Sequence, residues 1–149
     1  MADFFIVLFK NKVFLAAAIS WLIAQSIKVL LGIIREKRFN FKWFVGTGGM
    51  PSSHVAGVSA LVTAVGLILG PESVIFAVSL VFAIIVMFDA QGVRQATGVQ
   101  AEVLNEITDD IYFKRGLKEE KLKELIGHTQ VEVLVGALLG IIVALLVCI

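Results

Sequence analysis

"PSSHVAGVSALVTAVGLILGPESVIFAVSLVFAIIVMFD", residues 51–89, carries two apolar runs back to back. Val55 to Leu69 and Ser73 to Phe88 are joined by the short polar turn "GPES". A membrane-crossing helix needs about 20 mostly apolar residues. The first run reaches that length if its helix starts near Pro51, and a turn this tight folds the second run back along it. The flanking chain has the same character: Val13 to Ile34 precedes the hairpin and Val131 to Ile149 follows it. The pattern predicts an all-α fold, an integral membrane bundle of about four transmembrane helices. The opening "DFFIVLF" is too short to span; it lies at the interface or packs on the bundle.

Composition agrees. The 149 residues suffice for one domain, read here as a single membrane-embedded unit over residues 1–149. They are 58% hydrophobic, with a mean hydropathy of +0.94, against about 45–50% apolar content in soluble proteins. The net charge of +1, with no basic stripe outside the loops, predicts no nucleic-acid partner. Cys148 is the sole cysteine, so an intramolecular disulfide is excluded. Met1 to Phe9 has no basic leader region and no small-residue cleavage site after it, which argues against a cleavable signal. Only residues 92–127 read as soluble, with "KEEKLKE" (118–124) as a solvated amphipathic helix.

The helix ends sort the charges. The first span leaves at Arg35, the second begins at His54, the third returns at Asp89, and the fourth starts from His128. All four lie on one face. Of the 13 Lys and Arg residues, ten fall in that face's two loops, and Lys10 and Lys12 flank the opposite end. The positive-inside rule makes the crowded face cytoplasmic. Both histidines, His54 and His128, stand there at helix starts.

Four segments on that face can do chemistry. In "GTGGMPSSH" (46–54), glycines permit a tight turn and the helix start presents unpaired N–H groups, an arrangement that attracts phosphate. Ser52 and Ser53 add hydroxyl donors, and His54 can pass a proton near neutral pH. The same residues also fit a plain capped helix with proline near its first turn. In "IGHTQVE" (126–132), His128 and Glu132 are four apart and share a helix face. The carboxylate can therefore orient the imidazole as a nucleophile. Thr129-x-x-Glu132 equally matches a capping box, in which Glu132 does no chemistry. In "KVLLGIIR" (28–35), Lys28 and Arg35 sit seven apart on one face, with Lys28 inside the apolar span. A cation there calls for a partner or ligand, or snorkels to the interface. Arg94 in "FDAQGVRQATGVQAEVLNEI" (88–107) can clamp a phosphate, and Asp89 can pair with a site cation; both also fit a helix end with a surface salt bridge.

Together these blocks resemble the phosphatidic acid phosphatase type 2 superfamily, which includes the vanadium-dependent haloperoxidases. Its blocks read Lys-x6-Arg-Pro, Pro-Ser-Gly-His and Ser-Arg-x5-His-x3-Asp. Lys28-x6-Arg35 matches the first with Glu36 for proline, and Pro51-Ser52-Ser53-His54 the second with serine for glycine. His128-x3-Glu132 matches the end of the third with glutamate for aspartate, while Lys121 and Leu122 replace the Ser-Arg pair. The four-span form, with "GGMPSSH" and "LIGHT", looks like the divergent bacterial and plant branch.

The resemblance implies a membrane phosphatase that hydrolyses a lipid phosphate or pyrophosphate through a phosphohistidine. His128 would be the nucleophile, Glu132 its orienter and His54 the acid for the leaving oxygen. Lys28, Arg35, Ser52 and Ser53 would hold the phosphoryl oxygens, with Arg94 or Lys123 in place of the lost arginine. It implies no cofactor, no metal and a bacterial inner membrane, and the charge distribution turns the site to the cytoplasm; homo-oligomerisation is left open. The alternative is a non-catalytic phosphate-binding or structural membrane protein of the same descent. A small transporter or channel subunit, with Lys28 and Asp89 lining its path, is a third class.

Overall fold

The computed structural model describes residues 1–37, 49–93, 100, 101, 103–105, 107 and 129–149. They form α1 (Ala2–Lys10), α2 (Lys12–Glu36), α3 (Ser53–Leu69), α4 (Val74–Phe88), a π-helical turn (Asp89–Val93) and α5 (Gln130–Cys148). Among the described residues, Lys12–Arg35, Val74–Gly92 and Gln130–Cys148 are long and apolar enough to cross a membrane. The fourth expected span is shorter. Pro51 stays in the turn and Ser52 becomes the N-cap, so α3 has 17 residues and begins at Ser53.

The core is a triangle of α2, α3 and α5, with α4 laid on the outside of α3. What fills it is small. Ala16, Ser20 and Ala24 on α2, Ala56, Ala60 and Ala64 on α3, and Gly136, Gly140 and Ala144 on α5 are all buried. Each set recurs every fourth residue, so each forms one ridge along its helix. The large side chains point outward: Leu146 is 79% exposed, Val74 78% and Phe88 74%. In water such a surface would associate. Here the surrounding solvent is hydrocarbon, and helices meet through small residues that allow close approach. The chain is a multi-pass membrane protein.

Several helix hydroxyls, inside the bundle and on its surface, are spent on backbone carbonyls. Ser20 Oγ donates to the Ala56 carbonyl at 3.1 Å across the α2–α3 contact. Ser26 and Thr63 donate to carbonyls one turn back in their own helices, at 2.8 and 2.7 Å. Lipid offers no partners, so backbone and hydroxyl groups turn to the protein itself; the buried Ser59 hydroxyl is an exception, with no hydrogen-bond partner among the described residues.

Two hydrogen bonds fix the direction of the helices. Lys12 Nζ donates to the Cys148 carbonyl at 3.1 Å, joining the start of α2 to the end of α5. The Ser52 N–H donates to the Glu132 carbonyl at 3.1 Å, joining the start of α3 to the start of α5. Thus α3 and α5 run parallel, and α2 runs against both. At the other end of α3, Gly70 (φ +81°) adopts a backbone that side chains avoid. Ser73 then caps α4, accepting from the Phe76 N–H at 3.2 Å while donating to the Gly70 carbonyl at 2.9 Å. The expected hairpin is the observed one.

Candidate functional site

The three small-residue ridges end, on one side, in polar residues. Continuing each by four leads to Lys28 on α2, Ser52 before α3 and Glu132 on α5. Close packing along the ridges therefore carries these three groups to one end of the triangle.

Gly49, at φ +87°, brings the loop backbone over Lys28. A methyl group on Gly49 would lie 3.5 Å from Lys28 Cγ and 3.7 Å from Cδ. The aliphatic stem of Lys28 thus runs beneath the turn, and the residue is only 9% exposed. Beyond it Pro51, Ser52 and Ser53 are buried. Ser52 is held from three directions. Its N–H donates to the Glu132 carbonyl, its carbonyl accepts from the Ala56 N–H at 3.0 Å, and its Oγ caps the Val55 N–H at 3.5 Å. Gly136 makes the approach possible: a methyl group there would sit 2.6 Å from the Ser52 carbonyl oxygen. His54 is exposed in the first turn of α3, and Arg35 is exposed nearly two turns beyond Lys28.

At Glu132 the capping box is formed. Glu132 Oε2 accepts from the Thr129 N–H at 2.9 Å, and Thr129 Oγ1 accepts from the Glu132 N–H at 3.3 Å. This anchors the first turn of α5 directly after residue 128. His128 and Arg94 lie outside the described residues, as do Lys121, Leu122, Lys123 and the 118–124 segment. Among the described residues, no group of three His, Cys, Asp or Glu side chains could hold a metal ion.

Sequence reading missed three features here. Gln25 is buried one turn before Lys28, and Asn105 is buried as well. An amide within an apolar span is a readable signal, because polar groups at membrane depth need partners. The third feature is the π-helical turn Asp89–Val93, which extends α4 and carries its end against α5. Half-buried Asp89 begins that turn and Ala90 is packed within it. Such turns often mark functional positions in helices, but no periodicity in "FDAQGV" announces one.

A family model described as the Divergent PAP2 family matches residues 9–143. The chain belongs to the Divergent PAP2 family. A curated relative, "Uncharacterized membrane protein YuiD" of Bacillus subtilis (strain 168), is 42% identical over 151 aligned residues, covering 93% of this chain and 94% of its own. No solved structure matches. Divergent PAP2 membership covers all three blocks from which the resemblance was read, including the departures at Glu36, Ser53 and Lys121–Leu122.

The double duty asked of Glu132 can be separated by experiment. Glu132→Gln should leave stability nearly unchanged, since glutamine also serves a capping box. If the carboxylate steadies the His128 imidazolium as well, turnover should fall by tens-fold or more. Thr129→Ala should do the reverse, costing about 0.5–2 kcal/mol of helix stability with little direct effect on chemistry. Wild-type turnover in Glu132→Gln would reduce the residue to a cap.

Proposed function

We propose that this Divergent PAP2 protein is a metal-independent membrane phosphatase acting on a lipid phosphate or pyrophosphate from the cytoplasmic side. The observation that supports it best is the depth of the Pro51–Ser53 turn. Lys28, over which the turn closes, precedes the end of α2 by eight residues, or about 12 Å at 1.5 Å per residue. The turn is therefore recessed below the level α2 reaches. That is the depth at which a headgroup phosphate, still attached to its acyl or isoprenoid chain, would meet it. The cytoplasmic orientation rests on the ten cations of the two site-side loops.

In this reading residues 1–149 are one phosphatase-like domain. The turn donors of Ser52 and Ser53, with Lys28 and Arg35, hold the phosphoryl oxygens, and Arg94 adds a further cation. The His128 imidazole attacks phosphorus, and the bond to the lipid oxygen breaks as His54 delivers its proton to that oxygen. Water then attacks the phosphohistidine with His54 taking up its proton, releasing inorganic phosphate and restoring His128. Glu132 steadies the charged ring, its carboxylate having accepting capacity beyond the single capping bond. Fixed donors aimed at the transferring phosphoryl group are the usual source of rate in such reactions.

The test is inorganic phosphate release by purified protein in mixed micelles, across a panel of lipid phosphates and pyrophosphates, in EDTA. Turnover that persists in chelator and is inhibited competitively by orthovanadate is the expected result. Turnover lost in EDTA and restored by magnesium would overturn the metal-independent mechanism. The second reading, a phosphate-binding protein without turnover, is favoured by Lys121 and Leu122 standing where the superfamily has Ser-Arg. Vanadate binding with no phosphate release from any substrate would establish it.

A further inference from the structure

The bundle makes little use of α1. Its nine residues reach about 14 Å, half of the ~30 Å hydrocarbon layer, and its recorded packing is against α2. Phe4, Phe5, Ile6, Val7 and Phe9 are all exposed, Phe4 at 66%. Asn11 sets the position of this apolar surface. Its backbone is extended (φ −75°, ψ 107°), which interrupts the helical path between α1 and α2. Its N–H donates to the Leu8 carbonyl at 3.1 Å, and its Oδ1 accepts from the Val13 and Phe14 N–H groups at 2.9 and 3.2 Å. One residue thus closes α1 and caps α2. The Phe9 ring meets Phe14 edge-on, with centroids 6.0 Å apart, bracing the joint.

The height of this elbow is also fixed. The Lys12–Cys148 hydrogen bond puts it level with the last turn of α5, at the end of the bundle away from Lys28, Ser52 and Glu132. Around α1, Asp3 and Lys10 are seven residues apart and so share one side. By the same period Phe4, Phe5, Leu8 and Phe9 occupy the other, and exposed Ile6 and Val7 flank the polar line. We propose that α1 is an in-plane interfacial helix whose partner is the phospholipid surface of the leaflet opposite the candidate site. Asp3, Lys10 and the adjacent Lys12 face the headgroups, and the phenylalanines enter the acyl boundary. A helix of this kind seats its apolar face about 5–10 Å into that boundary. A short helix braced at membrane height, with a polar line along one side, fits a lipid surface, the solvent that already surrounds the neighbouring helices. The proposal stands apart from the phosphatase reading.

The full chain, with its sole cysteine removed as Cys148→Ser, takes nitroxide labels singly at Asp3→Cys and Phe5→Cys. The contact to Lys12 uses the residue 148 carbonyl, so this background keeps it. In phosphatidylethanolamine–phosphatidylglycerol vesicles, the ratio of oxygen to nickel-chelate collisions should be several-fold higher at residue 5 than at residue 3. Equal, water-like ratios would overturn the proposal, as would strong dipolar broadening at residue 5 between copies. Phe5→Trp read against brominated lipids is the independent check: quenching above the Trp21 and Trp43 background is expected, and its absence counts against the proposal.

Discussion

His128→Ala is expected to abolish phosphate release, by at least about 10⁴-fold, because without the imidazole no phosphoenzyme forms. His54→Ala should also be severe on a lipid phosphate, since a positioned general acid contributes about 10²–10⁴-fold. The two losses should part company on an activated substrate. An aryl phosphate with an acidic phenol departs without a proton, so His54→Ala should recover the phosphorylation step there, seen as a burst of phenol ahead of slow turnover, while His128→Ala shows no burst. Protein incubated with ³²P-labelled substrate and quenched in alkaline detergent gives the second readout: alkali-stable, acid-labile label on wild type and on His54→Ala, none on His128→Ala. Identical behaviour of the two variants on the aryl substrate would remove the distinction between nucleophile and acid on which the mechanism rests.

How far the sequence carried the fold depends on which physical signal each part leaves. Span positions were legible because hydropathy is summed over many residues: Val13–Ile34 was expected and α2 is Lys12–Glu36. The shortness of α3 was half visible, because "PSSH" contains both a cap and a proline and only the structure decides which residue starts the helix. The interior was not legible. In a segment apolar on every side, an Ala or Gly ridge at every fourth residue gives no contrast in hydropathy, although it alone decides which face is inside. For the same reason nothing in the sequence sets Gly136 apart, yet its missing side chain is what admits the Ser52 carbonyl. The convergence of Lys28, the Ser52 turn and Glu132 was readable by following helix ends from face to face. The capping box and the orienting carboxylate were both readable at Glu132. The box is the geometry observed, and a capping bond does not exclude the second role. The Asn11 elbow left only the short polar run Lys10-Asn11-Lys12 between two apolar stretches as its signal.

Gly140→Ala should be the most damaging single-methyl change in the bundle. Its neighbours on α3 are two backbone atoms and a Cβ, all fixed to the helix. The added methyl would collide with the Ala56 carbonyl oxygen and lie 2.9 Å from the Ala60 nitrogen and 2.8 Å from Ser59 Cβ. No rotamer relieves such contacts; α3 and α5 must separate. Overpacking typically costs about 1–3 kcal/mol, and this position belongs at or above the top of that range. Other glycines supply graded controls. At Gly66 the obstruction is the Phe76 ring at 2.9 Å, a side chain that can turn aside, so Gly66→Ala should cost about 1 kcal/mol or less. At Gly57 the nearest atoms are 3.8 Å away, ordinary contact, and Gly57→Ala should be neutral or stabilising by up to about 1 kcal/mol through helix propensity. Steric-trap unfolding in bicelles should therefore rank the variants Gly140, Gly66, Gly57 from most to least destabilised. Gly136→Ala tests whether the same packing governs the site. Its methyl would press on the Ser52 carbonyl rather than on the middle of the crossing, so turnover should fall by more than its stability loss accounts for. If Gly140→Ala unfolds like Gly57→Ala, the α3–α5 ridges are not the contact that holds the bundle. The convergence of Lys28, Ser52 and Glu132 would then need another cause.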